Sequence, residues 1–389
     1  MATALETFTA GVDTAVDVPS IERQLRELWQ LAAESDKGQI TRACLFNLVA
    51  YCETDETRDH ASSVISELTS RDPCRAVVLL AKPEGPVNEL SAAITAHCHL
   101  AGGGKQVCCE QISIQAAGAS VESLASAVLP LLESDLPTVI WWQGNFLLRP
   151  APFTRLAAVA DRILFDTSLW DKPQDYLAAL ARTMQAMPRC QFADLSWTRL
   201  GLWRRLTAEC FDEPHCLEAL PQIRHVEVTH GCGPGAKLRA LLCASWVATQ
   251  LGWPAADAAR RIELKAREDD DATSVGILSI SLKGDGVEAC VRKNYGERAA
   301  SATVTVPNAC GLPRKRAFWP TDDAALLSQE LDHSGSHRVY ERTLAMAAAV
   351  ADARISQSFT VPATRGNTAT GHSSRRRDPG SWSPNRPYW

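Results

Sequence analysis

Several stretches of this chain carry residues whose types and spacing could do chemistry. Gly231-Cys232-Gly233-Pro234-Gly235-Ala236 satisfies a G-x-G-x-x-A pattern between a strand-like and a helix-like run. Glycines there would let the backbone approach a phosphate, and the first amides of the helix would attract it. The dinucleotide form of the pattern also needs an acidic residue ending a second strand about twenty residues on. Asp257 has the distance but sits in an Ala-rich, helix-like stretch. A Gly/Pro turn before a helix is therefore the preferred reading of 231–235, with a nucleotide- or sugar-phosphate-binding enzyme as the alternative. His97-Cys98-His99 puts two imidazoles on one face of a strand, where a metal could bind with Cys108 and Cys109 nearby. No C-x-x-C spacing supports a zinc site, so buried histidines without metal are expected. Gly102-Gly103-Gly104-Lys105 is followed by Gln106 where a phosphate loop needs Ser or Thr, and it reads as a hairpin turn. No G-x-S-x-G elbow, H-E-x-x-H helix or Walker sequence occurs.

Two aromatic clusters suit contact rather than turnover. Trp141-Trp142 ends a buried strand-like run, and strand C-termini in open α/β sheets face ligand crevices. Asp194 precedes a Trp/Arg-rich helix containing Trp197, Arg199, Trp203 and Arg204, a composition enriched at interface hot spots. Trp141, Trp142, Asp194, Trp197, Arg199, Trp203 and Arg204 are accordingly the candidate partner-binding residues. The competing explanation for the tryptophan pair is that one faces the core and the other packs under a helix, because strand residues alternate faces. For residues 197–206 it is a core helix whose arginines solvate one side.

The elements that must position these residues follow from apolar periodicity. Residues 19–33 show helical spacing after Pro19 and Ser20, and 43–51 (ACLFNLVAY) fit a buried strand. Strand-like and helix-like runs then alternate through 61–68, 74–80, 121–132, 138–142, 153–160, 162–165 and 174–187. Residues 91–100 and 106–115 form a strand pair around the triple glycine, which argues for a mixed rather than an all-parallel sheet. The second half reads as a helix at 197–211, a strand at 223–228 and an Ala/Leu helix at 236–251. An acidic loop at 268–271 precedes a hairpin across Gly284-Asp285-Gly286, a strand at 302–306, and helices at 322–331 and 339–355. The expected fold class is α/β: a mixed-sheet N-terminal α/β domain with a second, smaller α+β domain and a disordered C-terminal tail. The divisions are an N-terminal helical segment at 1–36, the α/β domain at 37–171, the α+β domain at 172–355 and a basic tail at 356–389. That tail is rich in Ser, Gly, Pro, Thr and Arg and too poor in aliphatic residues to offset its ordering entropy.

Composition bounds the function classes. The 389 residues are 46% hydrophobic and 22% charged with a net charge of -5, and the nearest thing to a basic patch is Arg375, Arg376 and Arg377. Duplex binding needs a basic face, so no nucleic-acid partner is expected. Residues 1–17 carry Glu6, Asp13 and Asp17 where a secretory leader would be basic and then apolar, and no run reaches about 18 apolar residues. No membrane association and a cytoplasmic location are expected. Thirteen cysteines lie scattered through the chain. In a long chain without a leader they do not form a disulfide framework, and Cys44, Cys74 and Cys108 in strand-like runs read as small buried hydrophobes.

Taken together, RACLFNLVAY at 42–51, PCRAVVLL at 73–80, LPLLESDLPTVIWWQG at 129–144, DLSWTRLGLWRRLTAECFD at 194–212 and the LGW that ends the helix at 251–253 resemble the OpcA family. These are glucose-6-phosphate dehydrogenase assembly or effector proteins of cyanobacteria and actinobacteria. The resemblance implies a regulator that binds and activates glucose-6-phosphate dehydrogenase at the opening of the oxidative pentose phosphate pathway. No cofactor then belongs to this chain; NADP belongs to the partner enzyme. Cyanobacterial members are also linked to thioredoxin-dependent control, which makes thioredoxin a second candidate partner. A thiol switch needs two cysteines within about 7 Å at Cα. Cys210 and Cys216, flanking a Phe-Asp-Glu-Pro-His loop, are the closest separated pair and the redox candidates.

Overall fold

The computed structural model describes residues 5–15, 21, 23–27, 30, 40–85, 90–100, 106–267, 276–294, 297–307, 309–310, 313–317, 321–333, 335 and 337–358. A first sheet is built from β1 (Leu5–Ala15), β2 (Ile40–Arg42), β3 (Phe46–Cys52), β4 (Cys74–Lys82), β5 (Leu90–Leu100), β6 (Gln106–Ala117), β7 (Thr138–Trp142), β8 (Arg162–Phe165) and β9 (Gln191–Asp194). Their order is β1-β5-β6-β4-β3-β7-β8-β9, with β2 beside β6. From β6 to β9 every pairing is parallel, whereas β1–β5 and β5–β6 are antiparallel. The sheet is mixed, as expected. Every residue of β3 and β7 is buried, because central parallel strands are covered on both faces.

Helices α1 (Asp55–Leu68), α2 (Leu124–Val128), α3 (Pro150–Ala157) and α4 (Leu177–Ala186) connect the strands. Short helices α5 (Leu195–Thr198), α6 (Gly201–Glu209) and α7 (Pro214–Ala219) lead into the second half. There β10 (Ile223–His230), α8 (Ala236–Gln250), α9 (Ala255–Arg261) and β11 (Ile262–Ala266) form a βαβ unit with parallel strands. Antiparallel β12 (Ile277–Gly284), β13 (Glu288–Asn294), β14 (Ala299–Val306), β15 (Ala309–Cys310) and β16 (Arg314–Ala317) complete a second sheet. The hairpin closes where expected, with Lys283 opposite Glu288 and the Gly284 amide donating to the Val287 carbonyl at 2.9 Å. Helices α10 (Asp323–Asp332) and α11 (Arg338–Ser358) end the described chain.

Several expectations need correction. Helical residues occur at 21, 23–27 and 30, but residues 5–15 form an edge strand against β5, with a register shift between Ala10 and Thr14. The helix read at 197–211 is two helices joined at Arg199–Leu200, next to Gly201, a poor residue for a helix interior. Strand pairing carries the first sheet past residue 171 to Asp194. The triple-glycine turn, the acidic loop at 268–271 and the tail beyond 358 lie outside the described residues.

Apolar side chains cover both faces of the first sheet. One face packs Leu48, Ala76, Leu164 and Ala193 against Ile65 of α1 and Leu327 of α10. The other face packs Val49, Leu79, Ile163 and Phe192 into a core that runs on without a break through α4, α8 and α11 to Val226, Ile280 and Val291 of the second sheet. The two halves therefore share one hydrophobic interior.

Gly235 sits at this join. It begins α8 with φ +66, and a Cβ there would overlap the Ser168 Cβ and stand 2.7 Å from its Cα. Gly252 has the same φ of +66 but nothing within 4 Å. Gly252→Ala should therefore lose only the left-handed backbone preference, about 1 kcal/mol. Gly235→Ala should lose about 3 kcal/mol or more, because overpacking adds to it. Urea denaturation of the two variants measures the difference, and equal losses would contradict the close approach.

Candidate functional site

Strands β8 and β9 lie side by side and each runs into an Asp-x-Ser turn, Asp166-Thr167-Ser168 and Asp194-Leu195-Ser196. Each aspartate caps its own turn and accepts hydrogen bonds from the other. Asp166 Oδ1 accepts from the Ser168 amide (2.8 Å), the Ser168 hydroxyl (2.5 Å) and the Ser196 hydroxyl (2.7 Å). Asp194 accepts from the Ser196 amide (2.9 Å), the Thr167 amide (3.1 Å), the Thr167 hydroxyl (2.6 Å) and the Tyr340 hydroxyl (2.9 Å). The guanidinium of Arg199 bridges Asp166 and Asp323, whose other oxygen lies 2.9 Å from His60 Nε2.

The electrostatics follow from burial and from these donors. Burial works to raise the Asp166 carboxyl, but Arg199 and the serine hydrogen bonds more than offset it and hold it below the ordinary value. Asp194 is raised, first by complete burial and then by the charge of Asp166, against the opposing donors from Thr167 and Tyr340. A proton held near neutral pH suits general acid–base chemistry. Yet every oxygen of the pair already has partners inside the protein, which marks it as a structural junction.

Two cavities flank the junction. One, of about 620 Å³, opens beside Asp166 and is lined by Arg199, Arg205, Arg239, Lys293 and Asp323. The other, of about 660 Å³, is lined by Trp197, Arg204, Glu330, His333, His337 and Tyr340. His333 and His337, an H-x-x-x-H spacing that the sequence reading took to be absent from the chain, stack with ring centroids 4.3 Å apart. Glu330 is buried and takes the Thr198 hydroxyl at 2.7 Å and His337 Nε2 at 2.8 Å.

The candidate contact residues fall mostly inside. Trp141 packs on the α1 and α10 face, while Trp142 faces the opposite core and stacks on Tyr51 at 3.9 Å. This is the alternation named as the competing explanation. Trp197 and Trp203 are each 3% exposed, and Arg204 lies 3.7 Å over the Trp197 ring. Burial lowers the Arg204 guanidinium to about 10. Asp194 is likewise internal, so of the set only Arg199 and Arg204 reach partly to the surface. The missed residue is Asp166. Its signal was in the sequence, since FDTS at 165–168 and ADLS at 193–196 repeat one strand-end pattern.

The thiol expectations change as well. Cys210 and Cys216 are both buried thiols, and burial pushes Cys210 up to about 12, which suppresses the reactive thiolate. Cys108, expected as a buried thiol, is instead bonded to Cys98, directly opposite it on β5 with Cα atoms 4.1 Å apart. Cys44 is half-buried ahead of β3, whereas Cys74 is buried as expected. His97 and His99 meet Gln111 Oε1 (3.1 Å) and Thr69 Oγ1 (3.0 Å). The glycine turn does join a strand to a helix, but the backbone that approaches Gly235 is that of Ser168. Asp257 lies in α9.

Glu330 yields a pH prediction. Burial works to raise its carboxyl, but hydrogen bonds from His337 and Thr198 outweigh this and hold it below 4.5. The unfolded chain then binds more protons in acid, so this contribution is complete above that pH and lost as pH falls through the lowered folded value. Glu330→Gln should cost about 1–3 kcal/mol at neutral pH and flatten the acid limb of stability. Urea denaturation from neutral pH to about pH 3 measures both.

Comparison with known proteins agrees with the sequence resemblance. Residues 58–182 match the model of the glucose-6-phosphate dehydrogenase subunit N-terminal domain, and 190–344 match that of the C-terminal domain. A protein of Nostoc punctiforme named OxPP cycle protein OpcA is 30% identical over 192 residues, 49% of this chain and 40% of its own length. The chain's match thus spans two fifths of that relative. The Synechococcus elongatus protein of the same name is 26% identical over 322 residues, 75% of this chain and 71% of its own. Among solved structures, a biliverdin reductase from Synechocystis overlaps 79% of this chain and 98% of its own with a TM-score of 0.44 and 9% identity, a distant likeness. The two domain matches lie in tandem across most of the described residues, and the chain belongs to the OpcA family.

Proposed function

We propose that this chain is a non-catalytic effector that binds glucose-6-phosphate dehydrogenase and raises its activity. The observation that carries the reading is the tandem match, in which both domains named for a subunit of that dehydrogenase occur in order on one chain. The relatives named OpcA support it. The geometry is compatible, since each strand-end carboxylate accepts hydrogen bonds from the other's turn and Gly235 is packed on Ser168. The nucleotide alternative lacks a comparable support. NADP belongs to the dehydrogenase in this reading, and the pair works in the cytoplasm.

Such a protein acts only by binding one state of its partner better than another, because equal affinity for two states shifts nothing. We assign the contact surface to the helix pair α5–α6, where Arg199 and Arg204 are the partly exposed members of the candidate set. The tryptophans beneath them act by holding these helices in place. Thioredoxin as a second partner draws no support from Cys210 or Cys216, both of which are buried.

Mixing the purified chain with the dehydrogenase should shift the enzyme's elution volume. It should also lower the glucose 6-phosphate KM or raise kcat by at least about twofold, which corresponds to a few tenths of a kcal/mol. No change in either elution or kinetics would remove the reading.

A further inference from the structure

Strand β11 lies at one edge of the second sheet, and among the described strands it pairs with β10 alone, in parallel register. That register sets Glu227 directly opposite Glu263. His225 precedes Glu227 by two residues and so shares its face, the one turned away from the core residues Val226 and Val228. Like charges directly opposite on neighbouring strands are destabilising, so the two glutamates call for a cation between them.

One nitrogen of His225 and one oxygen from each glutamate all lie within 4.8 Å of one another. His225 Nε2 stands 3.3 Å from Glu263 Oε2, the spacing of two atoms each about 2.0–2.1 Å from one tetrahedral ion. Lys265, two residues after Glu263 on the same face, supplies the positive charge in the metal-free chain. Its ammonium lies 2.6 Å from Glu227 Oε2 and 3.6 Å from Glu263 Oε1. One ammonium faces two carboxylates there, on a flexible and exposed stem that can turn out to solvent. The next cation along the sheet, Lys283, lies opposite His225 and stands 3.7 Å from Glu288.

We infer that His225, Glu227 and Glu263 form a site for a divalent transition-metal ion of the zinc class. One imidazole and two carboxylates suit zinc, whereas magnesium and calcium take shells of oxygen. All three ligands stand on strands, so main-chain pairing fixes their spacing before an ion arrives. Three protein ligands leave a coordination position to solvent. Binding displaces the Lys265 ammonium and ties the edge strand β11 to β10. This inference stands on the second sheet alone and does not rest on the dehydrogenase partnership.

The test is titration of the chelator-treated full chain, without the dehydrogenase, with Zn²⁺ and separately with Co²⁺. Cobalt is needed because the chain holds thirteen cysteines, and thiolate ligands give it a charge-transfer absorption that nitrogen and oxygen ligands do not. Co²⁺ should bind saturably at one site without that absorption, Zn²⁺ should displace it, and an equal concentration of Mg²⁺ should not. His225→Ala and Glu263→Gln should each weaken Zn²⁺ at least about tenfold. Lys265→Ala should tighten it at least about threefold, because the competing ammonium is gone. Glu263 and Lys265 are exposed and His225 is half-buried on the outer face, so the metal-free variants should melt like the parent and report on binding alone. Absence of saturable binding, binding through thiolates only, or an affinity that His225→Ala and Glu263→Gln both leave unchanged would overturn the assignment.

Discussion

The buried pair of aspartates at the ends of β8 and β9 is the interaction on which the remaining architecture rests. A carboxylate removed from water is tolerated only when its oxygens are fully supplied with donors or a counter-ion. Here the two turns supply each other, Ser196 donating to Asp166 and Thr167 to Asp194. Their remaining needs recruit distant segments. Arg199 brings Asp323 and with it α10, and Tyr340 brings α11. Ser168, held by Asp166, is the surface on which Gly235 seats the start of α8. One polar knot thus gathers segments more than a hundred residues apart.

That arrangement bears on function. A strand-end aspartate raised by burial would suit proton transfer, but here its oxygens take four hydrogen bonds from within the chain. Beneath the knot the apolar core passes from one sheet to the other without interruption. A body packed in this way presents its surface helices in a fixed relation. An effector needs that property, because it works by offering one partner state a better fit than another.

Local patterns were legible in the sequence where the interaction that fixes them is local. The β5–β6 pair and the Gly284–Gly286 hairpin could be read because alternation and turn chemistry specify them within a few residues. Strand alternation likewise anticipated the opposite facing of Trp141 and Trp142. The edge strand at Leu5–Ala15 was not legible, since it is fixed by pairing with a strand some eighty residues away and broken by a register shift. Nor was the Arg199–Asp323 bridge, or the burial of Trp197 and Trp203, which depends on elements from the far end of the chain. A Trp/Arg-rich helix has one composition whether it faces a partner or its own C-terminal helices.

The claim that the aspartate knot binds α11 to the first sheet is open to a double-mutant cycle. Asp194→Asn and Tyr340→Phe, singly and together, would be followed by urea denaturation. Coupled groups that share a buried hydrogen bond should show an interaction energy of about 1 kcal/mol or more, so the double variant should lose less than the sum of the single losses. Strict additivity would mean that the Tyr340–Asp194 contact carries no energy and would contradict the account.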